Sequence, residues 1–193
     1  MKTKILTLII VLFSSVSFAQ VSFEEAKIKA EQGDAKNQLR LAISYHLGTG
    51  TLKDDIKAFY WYKKSAANGY VDSKDGLADM YLFGWGTEKN NIKAFAWYSS
   101  AAEEGCARAQ YSLGGMYSSN PDVHQDSNKA FYWWLKSAEQ GFESAQYTVG
   151  YAYFEGYGTT CNKQKSAYWI KKAYENGNQD AKVFWEKNEL WKY

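Results

Sequence analysis

The chain has 193 residues, with 23 basic and 21 acidic side chains and a formal net charge of +2. So even a balance gives no electrostatic case for nucleic acid or an anionic membrane surface as partner. Two histidines and two cysteines leave little for a metal centre or covalent catalysis, and a single proline with no low-complexity tract argues against interdomain linkers.

In chain order, the first stretch reads MKTKILTLIIVLFSSVSFAQ. Lys2 and Lys4 precede an apolar run from Ile5 to Phe13, and Ser17-Phe18-Ala19 forms a small-x-small site. This pattern predicts a secretory signal peptide over 1–19, cleaved after Ala19. The alternative, an uncleaved anchor, would need ~20 apolar residues. No cysteine follows the site, so lipid attachment is not signalled. Losing Lys2 and Lys4 takes the net charge to zero. The expected product is a periplasmic or secreted protein without stable membrane insertion, its one domain spanning 20–193.

From Gly33 the chain repeats itself every 36 residues. That step links Gly33, Gly69, Gly105, Gly141 and Gly177, then Tyr45, Tyr81, Tyr117 and Tyr153, then Trp61, Trp97, Trp133 and Trp169. A fixed period in the 20 to 50 range marks a solenoid. The units cover about 33–68, 69–104, 105–140 and 141–176, with a C-terminal cap over 177–193.

Each unit carries two helical patterns. Leu77, Met80, Tyr81 and Gly84 line one face of a first helix; Ala94, Trp97, Tyr98, Ala101 and Ala102 line a second. Gly84-Trp85-Gly86 stops the first helix and Gly105 the second. The large Trp and Tyr of these columns, Trp97 and Tyr98 included, are expected to fill the core between repeats. The predicted helices are 22–31, 35–47 with 55–67, 71–83 with 91–103, 107–118 with 127–139, 143–154 with 163–175, and 179–191. The first and last read as caps, which a solenoid needs because a terminal repeat cannot bury both faces. Trp185, Leu190 and Trp191 give the last helix its apolar side. Cys106 falls at the start of a first helix and Cys161 in the loop of the last repeat. A helix length of roughly 20 Å would separate them, too far for a disulfide.

Gly105-x3-Ala109-Gln110-x2-Leu113-Gly114-x-Met116-Tyr117 resembles the first helix of a Sel-one-like repeat (SLR), a relative of the tetratricopeptide repeat. Lys93-Ala94-x2-Trp97-Tyr98-x2-Ala101-Ala102-x2-Gly105 resembles its second helix, and Ala145-Gln146-x2-Val149-Gly150-x2-Tyr153 matches again. The resemblance covers nearly the whole mature chain. It implies an all-α fold: a right-handed superhelical solenoid of antiparallel helix pairs, four SLR repeats with a capping helix at each end. It also implies a binding role, since such proteins act as scaffolds and adaptors, often in bacterial envelopes, and some are antitoxins for secreted effectors. A few are described as β-lactam-binding, a role no residue pattern here supports. One departure stands out. Where the other repeats have Gly-x-Gly at 48–50, 84–86 and 156–158, the third has Asn120-Pro121-Asp122, so its loop is expected to follow another path.

The chain shows no HExxH, CxxC, GxSxG, P-loop or EF-hand pattern, and His46 and His124 lie in different repeats. No catalytic residue, metal ligand or cofactor is expected. Binding has more support. On the first helices, three positions point away from the core: Leu39, Ile43 and His46 in the first repeat, then Asp75, Asp79 and Leu82 in the second. The third offers Tyr111, and the fourth Tyr147, Tyr151 and Phe154. In related solenoids the first helices line the concave surface, and these ten residues are the expected protein-binding face. A second column, Tyr60, Tyr132 and Tyr168 among lysines, reads as a solvated face with lysine stems lying on tyrosine rings. The expectation is an exported, non-enzymatic scaffold for another protein. Two roles stay open: an immunity protein masking a periplasm-targeted toxin, or an envelope adaptor. The alternative from a different class is an envelope enzyme or ligand-binding protein acting on peptidoglycan fragments.

Overall fold

The computed structural model describes residues 22–193, so the expected signal segment lies outside the described residues. Among the described residues every regular element is helical. Helix α1 occupies 22–31. Four pairs follow: α2 Ala35–Leu47 with α3 Asp55–Ala67, α4 Val71–Phe83 with α5 Asn91–Glu103, α6 Ala107–Ser119 with α7 Ser127–Glu139, and α8 Glu143–Glu155 with α9 Lys163–Glu175. Helix α10, Gln179–Lys187, and a 3-10 turn, Leu190–Lys192, close the chain. The eight paired helices begin at the expected residues and end within one of the expected positions. Side-chain caps from Asp34, Asp54, Asp126 and Asn162 start α2, α3, α7 and α9, and left-handed glycines end α2, α4 and α8; both are local signals. The last helix breaks earlier than expected. Glu189 takes a left-handed backbone (φ 51°), and the turn seats Leu190 in the core beside Ala167, Ile170, Ala173 and Ala181.

The chain falls into two compact units, one ending at Asn90 and the other spanning Asn91–Tyr193. In the first, Phe23, Ala30 and Leu41 join α1 to α2, with Tyr45 and Trp61 packed against them. Ser65 Oγ donates to the Ala35 carbonyl at 2.6 Å, so its small side chain both permits close approach and ties α3 to α2. Gly76 lets α4 come down on Tyr62. A β-carbon at Gly76 would stand 2.3 Å from that ring.

The second unit repeats this grammar. Ser137 Oγ donates to the Ala107 carbonyl at 2.6 Å. Gly114 faces Trp134, whose ring would lie 2.4 Å from an added β-carbon. Ala130, Trp134, Ala138, Ala145, Val149, Tyr153 and Trp169 form one continuous core. A glutamine near the start of the first helix acts as a buried clamp. Gln110 Nε2 donates to the Ala102 carbonyl at 3.1 Å while its Oε1 accepts from Gln140 Nε2 at 2.8 Å. Gln146 does the same with the Ala138 carbonyl and Asn176 Nδ2. In the first unit Gln38 bonds the Ala30 carbonyl and Asn68 Nδ2. One buried amide thus satisfies a carbonyl inside the core, where an unpaired group would be costly, and ties it to an amide at the surface.

Of the two adjacent columns expected in the core of the second helices, only one is fully buried in the first three repeats. Trp61, Trp97 and Trp133 are only half-buried, whereas Tyr62, Tyr98 and Trp134, each one residue later, are buried; in the fourth repeat Trp169 and Ile170 are both buried. Both columns lie on the apolar arc of the helix. The side turned fully inward is decided by neighbours on both flanks, which a single helical wheel does not include.

The loop after each first helix returns by the same bond. The backbone N–H of Asp54, Asn90, Asp126 and Asn162 donates to the carbonyl of Tyr45, Tyr81, Tyr117 and Tyr153, respectively, at 2.8 to 3.0 Å. The third repeat leaves by a different route. Gly48, Gly84 and Gly156 are left-handed caps, whereas Asn120 is extended, and its Oδ1 accepts from the Asp122 N–H at 3.0 Å. The loop departs at Asn120 and is back in register by Asp126.

Candidate protein-binding face

The first helices position the ten expected side chains, and the structure treats them unequally. In the first unit Ile43 is exposed and Leu39, Asp79 and Leu82 are half-buried. His46 is no free surface ring. Its Nδ1 lies 2.6 Å from Asp55 Oδ1, and the ring packs on Trp85 at 4.6 Å between centroids. The loop residue Trp85 stacks in turn on Phe83 at 4.6 Å. Asp75 is a correction to the expected solvent-facing set: it is buried. Helix α4 buries Ser73, Asp75, Gly76, Leu77, Ala78 and Met80, so its polar-looking arc is not its solvent arc.

In the second unit Tyr111 is half-buried, its ring 5.3 Å from that of Phe142. Tyr147, Tyr151 and Phe154 converge on one ring of α10: their centroids lie 6.1, 5.7 and 5.1 Å from that of Phe184. Tyr151 is exposed, while Tyr147 and Phe154 are half-buried and pack against the C-terminal core. Burial pushes the Tyr147 hydroxyl above its ordinary pKa, with Asp180 and Tyr151 adding to the shift. The expected free aromatic cluster is therefore partly the seat of the C-terminal cap. Phe184 was not singled out in the sequence, although Ala181, Phe184 and Trp185 stand at helical spacing. The side chains on this face that keep a large part of their surface in water are Ile43 and Tyr151.

On the second helices Tyr60, Tyr132 and Tyr168 are about half exposed. Each stands edge-on to its neighbouring Trp, and Lys64, Lys136 and Lys172 lie 4.8 to 5.0 Å above the tyrosine rings. This is the lysine-covered face expected from the sequence. The departing loop of the third repeat borders an open cleft of about 350 Å³, lined by Ile92, Phe95, Tyr117, Asp122, Val123, His124 and Lys129. Asp122 is held there by Asn91 Nδ2 at 2.6 Å. Cys106 is half-buried at the N-cap of α6, and Cys161 is exposed beside α9; both are thiols. Among the described residues no three His, Cys, Asp or Glu side chains come together as a metal site, and no helix is long and apolar enough to cross a membrane.

The Sel1 repeat model matches four times, at residues 38–70, 73–106, 107–142 and 143–178. The chain belongs to the Sel1 repeat family. Among solved structures it is similar to a protective antigen of uropathogenic Escherichia coli with an SLR fold. The identity is 38% and the TM-score 0.78, over 82% of this chain and 34% of that one. It is also similar to a Sel1 repeat protein of Oxalobacter formigenes, 30% identical with a TM-score of 0.80, over 88% of this chain and 49% of the other. A curated relative, the secretory immunoglobulin A-binding protein EsiB of Escherichia coli, is 38% identical over 60 residues, which is 31% of this chain and 12% of that protein. The chain thus spans at most about half the length of these relatives. These likenesses and the helix pairs make it an all-α protein of the SLR solenoid class.

Proposed function

We propose that this chain is an exported, non-enzymatic scaffold that binds another protein through side chains of its first helices. The observation that carries this reading is the contrast between columns of the repeat. The buried columns hold nearly the same residue in successive copies: Ala58, Ala94 and Ala130; Ala66, Ala102 and Ala138. The first-helix face changes character from copy to copy: Leu39, Tyr111 and Tyr147 in one column, where the second copy has the buried Asp75, and Ile43, Asp79, Gly115 and Tyr151 in another. A fold that only had to stand would not need Ile43 and Tyr151 in water, and a tyrosine with an apolar body and a polar tip suits protein recognition. Export rests on the leader pattern of the first 19 residues. A relative named for binding an immunoglobulin is in line with a protein ligand. The partner is a toxin delivered to the envelope or an envelope component, and the chemistry is recognition without catalysis.

The test is a pull-down from periplasmic extract with the purified chain, followed by mass spectrometry of what is retained and measurement of its affinity. Tyr151→Ala combined with Ile43→Ala should weaken that affinity by roughly thirtyfold, the effect of a hot-spot loss. Tyr60→Ala with Tyr132→Ala, on the lysine-covered face, should leave it unchanged. The reverse pattern would assign binding to the second helices. Turnover of peptidoglycan fragments by the wild-type chain would replace the scaffold reading with an enzymatic one.

A further inference from the structure

Beyond the first-helix face, the loop end of the first unit carries apolar surface that neither the repeat nor the proposed binding role requires. Leu47 is 66% exposed, Leu52 88%, Ile56 72%, Phe83 56% and Trp85 36%. Four of them lie about one linked cluster, and Leu52 lies in the loop between Leu47 and Ile56. Trp85 stacks on Phe83 and on His46, the residue before Leu47, and His46 bonds Asp55, the residue before Ile56. The backbone at Gly86 closes on the Asp55–Ile56 peptide, where an added β-carbon would stand 2.8 Å from the Ile56 nitrogen. The repeat supplies its own control. In the third and fourth copies the column of Leu47 holds Ser119 and Glu155, that of Leu52 holds His124 and Thr160, and that of Ile56 holds Asn128 and Gln164. The fold is built equally well with polar residues there.

We propose that this apolar end is an interface between two copies of the chain. Two observations select that occupant. The first is size: the five side chains leave on the order of 500 Å² of apolar area in water, close to the apolar share, about 65%, of the ~800 Å² that each subunit of a standard dimer buries. The second is charge. Lys53, Lys57 and Lys89 share the rim with Asp54, Asp55 and Glu88, three of each sign, and Lys53–Asp55 and Lys57–Asp54 lie paired at 3.4 and 3.1 Å. A balanced rim repels neither itself nor a second copy across a two-fold axis. It lacks the excess of lysine that an anionic lipid surface would draw on.

Sedimentation equilibrium of the mature chain from low to high micromolar concentration tests this. The expected result is a mass rising to twice the monomer with concentration. Leu52→Asp with Ile56→Asp should weaken association at least about tenfold by facing carboxylates with carboxylates, with an unchanged helical circular dichroism spectrum. These positions lie in a loop and in the first turn of α3, where an acidic residue suits the helix. Thr160→Asp with Gln164→Asp, in the same columns of the fourth repeat, should leave the dimer intact. A monomeric mass throughout would overturn the proposal, and so would a dimer unaffected by the first pair of changes. Co-sedimentation of a monomeric wild-type chain with phosphatidylglycerol vesicles would overturn it in favour of lipid.

Discussion

The backbone oxygen of Asp55 lies where a side chain at Gly86 would begin: a β-carbon there would stand 2.0 Å from it. Gly158 meets the carbonyl of Ser127 at the same distance. Both glycines have positive φ, 65° and 64°, so the loop needs a residue without a side chain on two counts. The third repeat reaches the equivalent position by other means. Asp122 stands in the glycine column, and its carboxylate accepts from Asn91, the counterpart of Asp55 and Ser127. A glycine-to-backbone contact has been exchanged for a side-chain hydrogen bond, and the neighbouring residues open into the cleft at Val123 and His124.

Gly86→Ala should therefore lower stability by about 2 kcal/mol or more, since neither the Asp55 carbonyl nor the backbone angle can yield cheaply. Asp122→Gly should cost about 1 kcal/mol, the usual net value of one exposed or half-exposed hydrogen bond. Urea denaturation followed by circular dichroism gives both numbers, and equal losses would refute the exchange.

The second helices offer a test of which aromatic column is core. Tyr98→Ala removes a buried ring and should cost about 3–5 kcal/mol. Trp97→Ala removes a larger but half-buried ring and should cost less. A larger loss at Trp97 would restore the tryptophan column to the centre of the fold.

The glutamine clamp makes its own prediction. Gln110→Ala strands the Ala102 carbonyl and should cost about 1–3 kcal/mol. Gln125→Ala, on the exposed third loop, should change stability by less than about 0.5 kcal/mol. A clamp change as mild as the loop change would mean that water substitutes freely for the amide.

Asp54 caps α3 by accepting from the Lys57 N–H at 2.9 Å, and that bond holds its carboxyl below the ordinary aspartate pKa. The sign follows from linkage: a depressed folded-state pKa adds stability above the unfolded value, and the gain is lost as pH falls through the folded one. Asp54→Asn keeps a capping oxygen, as Asn162 does for α9, but has no proton to take up. The wild-type melting temperature should exceed that of the variant at pH 7, and the gap should close as acid titrates Asp54. A gap independent of pH would show that charge at this cap is irrelevant.

Helix boundaries were legible because they depend on neighbours in sequence. Asp54, Asp126 and Asn162 cap their helices by bonding the N–H three residues on, and Gly48, Gly84 and Gly156 end theirs within one turn. Exposure of the candidate face was less legible. Asp75 is buried along with five other residues of α4, and Tyr147 and Phe154 are partly covered because Phe184 arrives from a helix some thirty residues away in the chain.

Repeat length, helix pattern and family could be read from spacing alone, since each recurs within one 36-residue unit written four times over. Packing between distant segments selects which aromatic of each Trp-Tyr or Trp-Trp pair enters the core, holds His46 between Asp55 and Trp85, and gathers Tyr147, Tyr151 and Phe154 on the ring of Phe184. The reason is physical. A helical wheel divides inside from outside around one axis, whereas a helix in a stacked array meets neighbours on several sides, and what remains for a partner is whatever those neighbours leave uncovered.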